Sequence, residues 1–392
     1  MKISRRHVVL IAAASSAMLL APMPVSAQSD TVKIGLILPM TGPFASTGRQ
    51  IDAAVKVYLQ KHGSTVAGKK VEVILKDDGG TADTTRRIAQ ELVVNDKVAV
   101  LAGFGLTPLA LATAPIATQA KVPMIVMAAA TSSITEQSPF IVRTGFTLPQ
   151  ITLPMAEWAA KNGMKKVVTL VTDYGPGIDA ENQFKKTFTA SGGTVPAELR
   201  VPLKNPDFAP FLQRVRDASP DAVFVFVPSG IGSIFMKQFA ERGLDKSGIK
   251  LIGTGDVTDD DILNGMGDVA LGVVNTMHYS AAHDSPLNKE YVTAMQKMGN
   301  LRANFHSVGG YDGMHLIFKA LEATKGNTDG EALVNAMKGM SWESPRGPMS
   351  IDKDTRDVTQ NVYVRKVERV DGQLWNVEFQ TVKAVKDPGK QK

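Results

Sequence analysis

Histidines, paired acids and hydroxyl-rich loops are the residues whose types could do chemistry in this chain. His278 and His283 flank Tyr279-Ser280-Ala281-Ala282, with Asp284 following, a grouping that could ligate a metal or act as a general base. Placed after an apolar strand, the same stretch reads as a polar loop. His306 and His315 stand nine apart around a helix start, a spacing with no ligand meaning, and His62 ends a helix. Asp77-Asp78 and Asp259-Asp260-Asp261 offer carboxylate pairs. They follow strands at loop positions, where carboxylates act as helix N-caps or solvated turns.

Glycine-rich turns raise phosphate and dinucleotide chemistry, and their spacing excludes it. A dinucleotide loop needs G-x-G-x-x-G. Gly35, Gly42 and Gly48 are too far apart, while Gly103-Phe104-Gly105 and Gly253-Thr254-Gly255 lack a third glycine. No phosphate loop G-x-x-x-x-G-K-[ST] and no hydrolase elbow G-x-S-x-G occurs, and Pro228-Ser229-Gly230 is read as a turn. With no cysteine, disulfides, thiolate metal sites and thiol nucleophiles are excluded. The reading assigns no catalytic residue, no metal and no cofactor, and expects a protein that is not an enzyme.

What remains is a set of loops of one character. Pro39–Gly48 carries Thr41, Phe44, Ser46 and Thr47 between a strand and a helix. Residues 103–108 carry Phe104 and Thr107, and residues 128–135 read Ala-Ala-Ala-Thr-Ser-Ser-Ile-Thr. Asp173 and Tyr174 follow a fourth strand, and Thr254, Asp256 and Thr258 follow a fifth. Each loop opens a helix, so its hydroxyls and first-turn N–H groups suit a carboxylate, and its aromatics suit an apolar body or a cation.

The elements that position these loops alternate. Strands are predicted at Val32–Leu38, Val71–Leu75, Val98–Ala102 and Val122–Met127, with helices between them, and the alternation restarts after Gly145. Strands Val167–Val171, Thr194–Leu199, Ala222–Val227 and Ile249–Ile252 form a second βα series. Apolar strands with little alternation are those of parallel sheets covered on both faces. The fold class is therefore α/β, with two Rossmann-like doubly wound lobes. The tail differs, because Val362–Val370 and Leu374–Gln380 flank Asp371-Gly372, a hairpin signal. Thr381–Lys392 is read as loosely held.

Residues 1–27 read as a cleavable signal peptide. Lys2, Arg5 and Arg6 form a basic head, Val8 to Ala21 is apolar or small, and Val25-Ser26-Ala27 is a cleavage pattern. Ser4-Arg5-Arg6 partly matches a twin-arginine signal, so the twin-arginine and general secretory routes both stay open. Those three cations carry half of the formal net charge of +6. The other basic residues are scattered, which argues against nucleic acid and polybasic membrane binding. No later run reaches the roughly 20 apolar residues of a membrane span.

Several stretches together resemble the type I periplasmic binding proteins of the leucine/isoleucine/valine-binding class. They are Ile34-Gly35-Leu36 with Pro39-Met40-Thr41-Gly42-Pro43, Ala128-Ala129-Ala130-Thr131-Ser132, Phe140-Ile141-Val142-Arg143-Thr144, Asp173-Tyr174-Gly175-Pro176-Gly177 and Gly310-Tyr311-Asp312-Gly313-Met314. The resemblance implies two lobes joined by three crossovers, near 143–149, 274–277 and 360. That places 28–147 plus 277–359 in the N-terminal lobe, 148–276 plus 360–385 in the C-terminal lobe, and 386–392 in a tail. It implies a monomeric periplasmic protein that closes on a small carboxylate and hands it to the permease subunits of an ABC transporter. A ligand-sensing receptor or regulator of the same fold is the alternative.

The resemblance also implies a site. Thr107 matches the hydroxyl that holds the ligand carboxylate, and Ala129 with Thr131 matches a backbone-and-hydroxyl pair. Tyr174 and Tyr311 match aromatic contacts, and Phe44 and Phe104 would add apolar wall. The acid that holds an α-ammonium falls on Gly255 or Asp256, one register step apart. If Asp256 reaches the cleft an amino acid fits; otherwise an aromatic acid fits better.

Overall fold

The computed structural model describes residues 31–390. The proposed signal peptide lies outside the described residues. Strands β1 (Thr31–Leu38), β2 (Thr65–Val66), β3 (Lys69–Asp77), β4 (Val100–Gly103), β5 (Met124–Val126) and β6 (Ile141–Arg143) form the first sheet. Its order is β2-β3-β1-β4-β5-β6, parallel except for the short β2. Helices α1 (Ala45–His62), α2 (Ala82–Val94) and α3 (Thr107–Ala120) connect the strands.

After β6 the chain crosses into α4 (Leu148–Lys161) and a second series. This holds β7 (Val167–Thr172), α5 (Gly175–Ala190), β8 (Glu198–Val201), α6 (Ala209–Ala218), β9 (Ala222–Phe226), α7 (Gly232–Glu241), β10 (Lys250–Thr254), α8 (Leu263–Met266) and β11 (Val274–Met277). Every residue of β7 and β9 is buried, as the unbroken apolar runs require of a sheet covered on both faces. The chain then returns through α9 (Pro286–Gly299), α10 (Phe305–Ala323) and α11 (Gly330–Met337). Both α9 and α10 pack on α1 of the first lobe.

Strands β12 (Ser341–Ser344), β13 (Gly347–Ile351), β14 (Val358–Val370) and β15 (Gln373–Val385) extend the second sheet. Its order is β12-β13-β14-β11-β10-β9-β7-β8, with β15 on β14. The β14–β15 hairpin turns at Asp371-Gly372, both at positive φ, as its sequence signal requires. The β12–β13 hairpin has no such signal. It lies in the stretch expected to belong to the first lobe, yet it hydrogen-bonds into the second sheet through β14.

The same strand order appears twice. Counting within each series, β3-β1-β4-β5-β6 and β8-β7-β9-β10-β11 both run second, first, third, fourth, fifth. In such sheets the connections leave in opposite directions on either side of the first strand, opening a crevice at the strands' carboxyl ends. The loops after β1 and β4 stand at one crevice and those after β7 and β9 at the other.

The crossovers are bound by buried charge. Arg143 Nε lies 2.6 Å from Asp357 Oδ1, and Arg346 Nη2 lies 2.7 Å from Asp312 Oδ2, all four side chains being buried. Arg346 also donates to the Gly145 carbonyl and to Gln360, which donates on to Gln150. The last residues are held as well. Ser132 Oγ donates to Asp387 at 2.6 Å, and Lys390 Nζ pairs with Asp357 at 2.7 Å. The loosely held tail read from 381 onward is therefore strand to Val385 and tethered chain to Lys390.

Candidate functional site

The two crevices face each other across a small cavity lined by both lobes. Phe44 and Thr47 reach it from the loop and helix after β1, Gly105, Leu106 and Thr107 from the loop after β4, and Ala128–Ala130 from the loop after β5. The second lobe contributes Tyr174 and Pro176 after β7, Phe226, Pro228 and Ser229 after β9, and Asp256 after β10. Phe146 and Leu148 come from the first crossover, and His306 from the start of α10.

Rings form much of the wall. Tyr174 and Phe226 stack with centroids 6.1 Å apart. Phe44, from the first lobe, also packs against the apolar core of the second. Helices α1, α3, α5 and α10 all begin at this cavity, through Phe44, Thr107, Tyr174 with Pro176, and His306. Converging N-termini favour negative charge, because first-turn N–H groups lack partners within their own helix.

Thr107 and Thr131 are both buried, with their hydroxyl oxygens 2.8 Å apart. The loop behind them is fixed by Arg143. Its Nη1 donates to the Ala129 carbonyl at 3.0 Å and its Nη2 to the Thr131 carbonyl at 2.7 Å. Asp256 accepts from Thr254 Oγ1 at 2.8 Å, and burial pushes its carboxyl up to about 7. Burial raises the Tyr174 hydroxyl far above its ordinary range, with the neighbouring Asp256 adding to the rise. Burial drives His306 down to about 3, so its imidazole is neutral, and its Nδ1 is buried without a hydrogen-bond partner. At neutral pH Tyr174 and His306 are therefore uncharged and Asp256 is about half protonated, inside a shell of helix N-termini.

A family model described as periplasmic binding protein matches residues 31–373. The chain belongs to the periplasmic binding protein family. It is 47% identical over 369 residues to the Leu/Ile/Val-binding protein homolog 6 of Brucella melitensis biotype 1, spanning 93% of this chain and 95% of that one. Two solved structures extend the likeness. One is a solute binding protein of an ABC transporter from Rhodopseudomonas palustris BisB5 in complex with 3,4-dihydroxybenzoic acid. It is 66% identical with a TM-score of 0.91, covering 93% of this chain and all of that one. The other, from R. palustris HaA2 with p-hydroxybenzoic acid, is 46% identical with a TM-score of 0.90, covering 92% and 99%. This is thus a two-lobed periplasmic ligand-binding component, and it has the type I architecture implied by the resemblance.

Five of the expected residues of this periplasmic binding protein meet at the cavity: Phe44, Thr107, Ala129, Tyr174 and Asp256. The register at Gly255 and Asp256 is resolved in favour of Asp256, while Gly255 packs against Arg365 and Met277, too tightly for a Cβ. Four expectations change. Ala129 lines the wall, but its N–H donates to the Phe104 carbonyl at 2.9 Å and is already used. Thr131 stands behind Thr107 rather than on the wall. Phe104 takes a left-handed backbone, φ 68°, at the end of β4, and its ring is fully buried in the first lobe's core.

Tyr311 is elsewhere. It packs edge-on against Tyr58 and Tyr291, both at 5.1 Å, with its hydroxyl 3.1 Å from His62 Nε2. Its helix reaches the cavity through His306. Five residues at about 100° each turn Tyr311 about 140° away from that face.

His306, Phe146, Phe226 and Ser229 were not foreseen. Phe226 ends a strand whose apolar run reads as core, and Ser229 sits in a turn that shows no motif. The spacing of His306 to His315 carries no ligand meaning, whereas its position at a helix start is the informative signal.

Proposed function

We propose that this protein captures a hydroxylated aromatic carboxylate between its lobes and delivers it to the permease subunits of an ABC transporter. The observation that carries this reading is the wall of the cavity, where Phe44, Phe146, Tyr174 and Phe226 enclose space beside Thr107 and the N-termini of α3 and α5. A buried carboxylate needs several converging donors, and these elements supply them. Ser229, His306 and the protonated form of Asp256, which burial keeps populated at neutral pH, suit the ring hydroxyls. The two R. palustris neighbours with hydroxybenzoic acids support the same class. The protein is read as a monomer, exported by its leader, that binds without chemical conversion and without a cofactor.

A branched-chain amino acid is the second reading, favoured by Asp256. An α-ammonium beside this carboxyl would draw it into the ionised form. Calorimetry with benzoate, 4-hydroxybenzoate, 3,4-dihydroxybenzoate, leucine, isoleucine and valine separates the two. Binding of the three aromatic acids and of none of the amino acids is expected, with the hydroxybenzoates held more tightly than benzoate. Binding of the amino acids alone would overturn the aromatic reading.

A further inference from the structure

Two carboxylates of the second lobe hold the first lobe at opposite flanks of the cavity without lining it. Asp261 follows β10, and its Oδ1 accepts from Gln50 Nε2 at 3.0 Å while its Oδ2 accepts from Ser46 Oγ. Both donors lie on α1. On the other flank, Asp179 of α5 accepts from the Ser132 backbone N–H at 2.8 Å. The flanks meet at glycines. A Cβ on Gly230 would stand 2.5 Å from the Pro43 carbonyl oxygen, and one on Gly175 would stand 2.5 Å from Thr131 Oγ1. None of Ser46, Gln50, Ser132, Asp179 and Asp261 is among the residues of the cavity wall.

These hydrogen bonds exist only while the lobes are together. Opening returns both carboxylates and their donors to water. We propose that Asp179 and Asp261 are positioning residues, a pair of latches that set the population of the closed form and so the affinity for every ligand of the cavity. The inference rests on the reading of this protein as a binder that closes. Affinity falls in proportion to the binding-competent fraction, so a broken latch weakens all ligands by one common factor. A wall residue instead changes one ligand relative to another.

The test compares wild type with Asp179→Ala, Asp261→Ala and the double variant, plus Ser46→Ala to break the second latch from the opposite lobe. Calorimetry uses benzoate, 4-hydroxybenzoate and 3,4-dihydroxybenzoate. Each latch variant is expected to raise all three Kd values by a shared factor on the order of 5 to 50, with the ranking kept. The absence of native cysteines allows spin labels at Lys56→Cys on α1 and Lys237→Cys on α7, and pulsed dipolar spectroscopy then reports the distance between lobes. The short-distance population should fall in the double variant. Unchanged affinities with an unchanged distance distribution would overturn the proposal, as would factors that differ from ligand to ligand. If no aromatic acid binds wild type, the ligand assignment fails, while the distance distribution still decides the latch.

Discussion

Thr107 Oγ1 and Thr131 Oγ1 share one hydrogen bond of 2.8 Å across the loops that follow β4 and β5. Only Thr107 is on the cavity wall. With Thr131 as the donor of this bond, the Thr107 hydroxyl is left free to donate into the cavity.

The two threonines should therefore differ in effect. Thr107→Val removes a donor to a buried carboxylate, which is worth about 1.5–3 kcal/mol for a charged acceptor. Thr131→Val removes only the orienting partner, a loss of about 0.5–1.5 kcal/mol. Calorimetry with 4-hydroxybenzoate checks the order. A larger loss at Thr131 would reverse the assignment.

Asp256 gives a pH dependence whose sign follows from its raised pKa. A carboxyl ordinarily near 3.9 and held at about 7 in the fold binds its proton more tightly when folded. Stability then falls as pH rises from about 4 to about 7, and the penalty is complete above that. Asp259, pushed up to about 8 by burial and by Asp261, acts in the same direction. Asp256→Asn has no such penalty. Its melting temperature relative to wild type should rise between pH 5 and pH 8, measured without ligand. A difference that stays flat with pH would show that Asp256 is ionised throughout.

Tyr311 provides a control for the site. Tyr311→Phe loses the contact with His62 and leaves the edge-on packing against Tyr58 and Tyr291 in place. A stability loss of about 0.5–1.5 kcal/mol is expected, with ligand affinity unchanged. Denaturant unfolding and calorimetry read the two quantities separately, and a weakened affinity would return Tyr311 to the site.

The fold was legible because its strands are uninterrupted apolar runs, such as Ala222–Phe226, and its helices open with turn chemistry such as Thr147 ahead of α4. The hairpin at Ser341–Ile351 was hidden because its strands mix Trp342, Glu343, Met349 and serines without an Asn-Gly or Asp-Gly turn. At the site, residues directly after strands were legible, Thr107 and Tyr174 among them. Chirality and helical phase were not. Whether Phe104 faces core or cavity depends on one left-handed residue, and whether His306 or Tyr311 faces the cavity depends on the rotation of α10. Neither is written in composition or spacing.

Gly230 tests how close the lobes must come. It sits at φ 92°, and a Cβ there would lie 2.5 Å from the carbonyl oxygen of Pro43 in the opposite lobe. Backbone cannot yield as the end of a flexible side chain can, so Gly230→Ala must either hold the cleft ajar or shift the loop after β9. The positive φ adds about 1 kcal/mol of local strain for a residue with a Cβ. Affinity is expected to fall at least tenfold while the melting temperature without ligand drops by only a few degrees, as about 1 kcal/mol implies for a chain of this size. Calorimetry paired with thermal unfolding checks the split. A large loss of stability with affinity retained would mean that Gly230 serves the folding of its own loop and not the approach of the lobes.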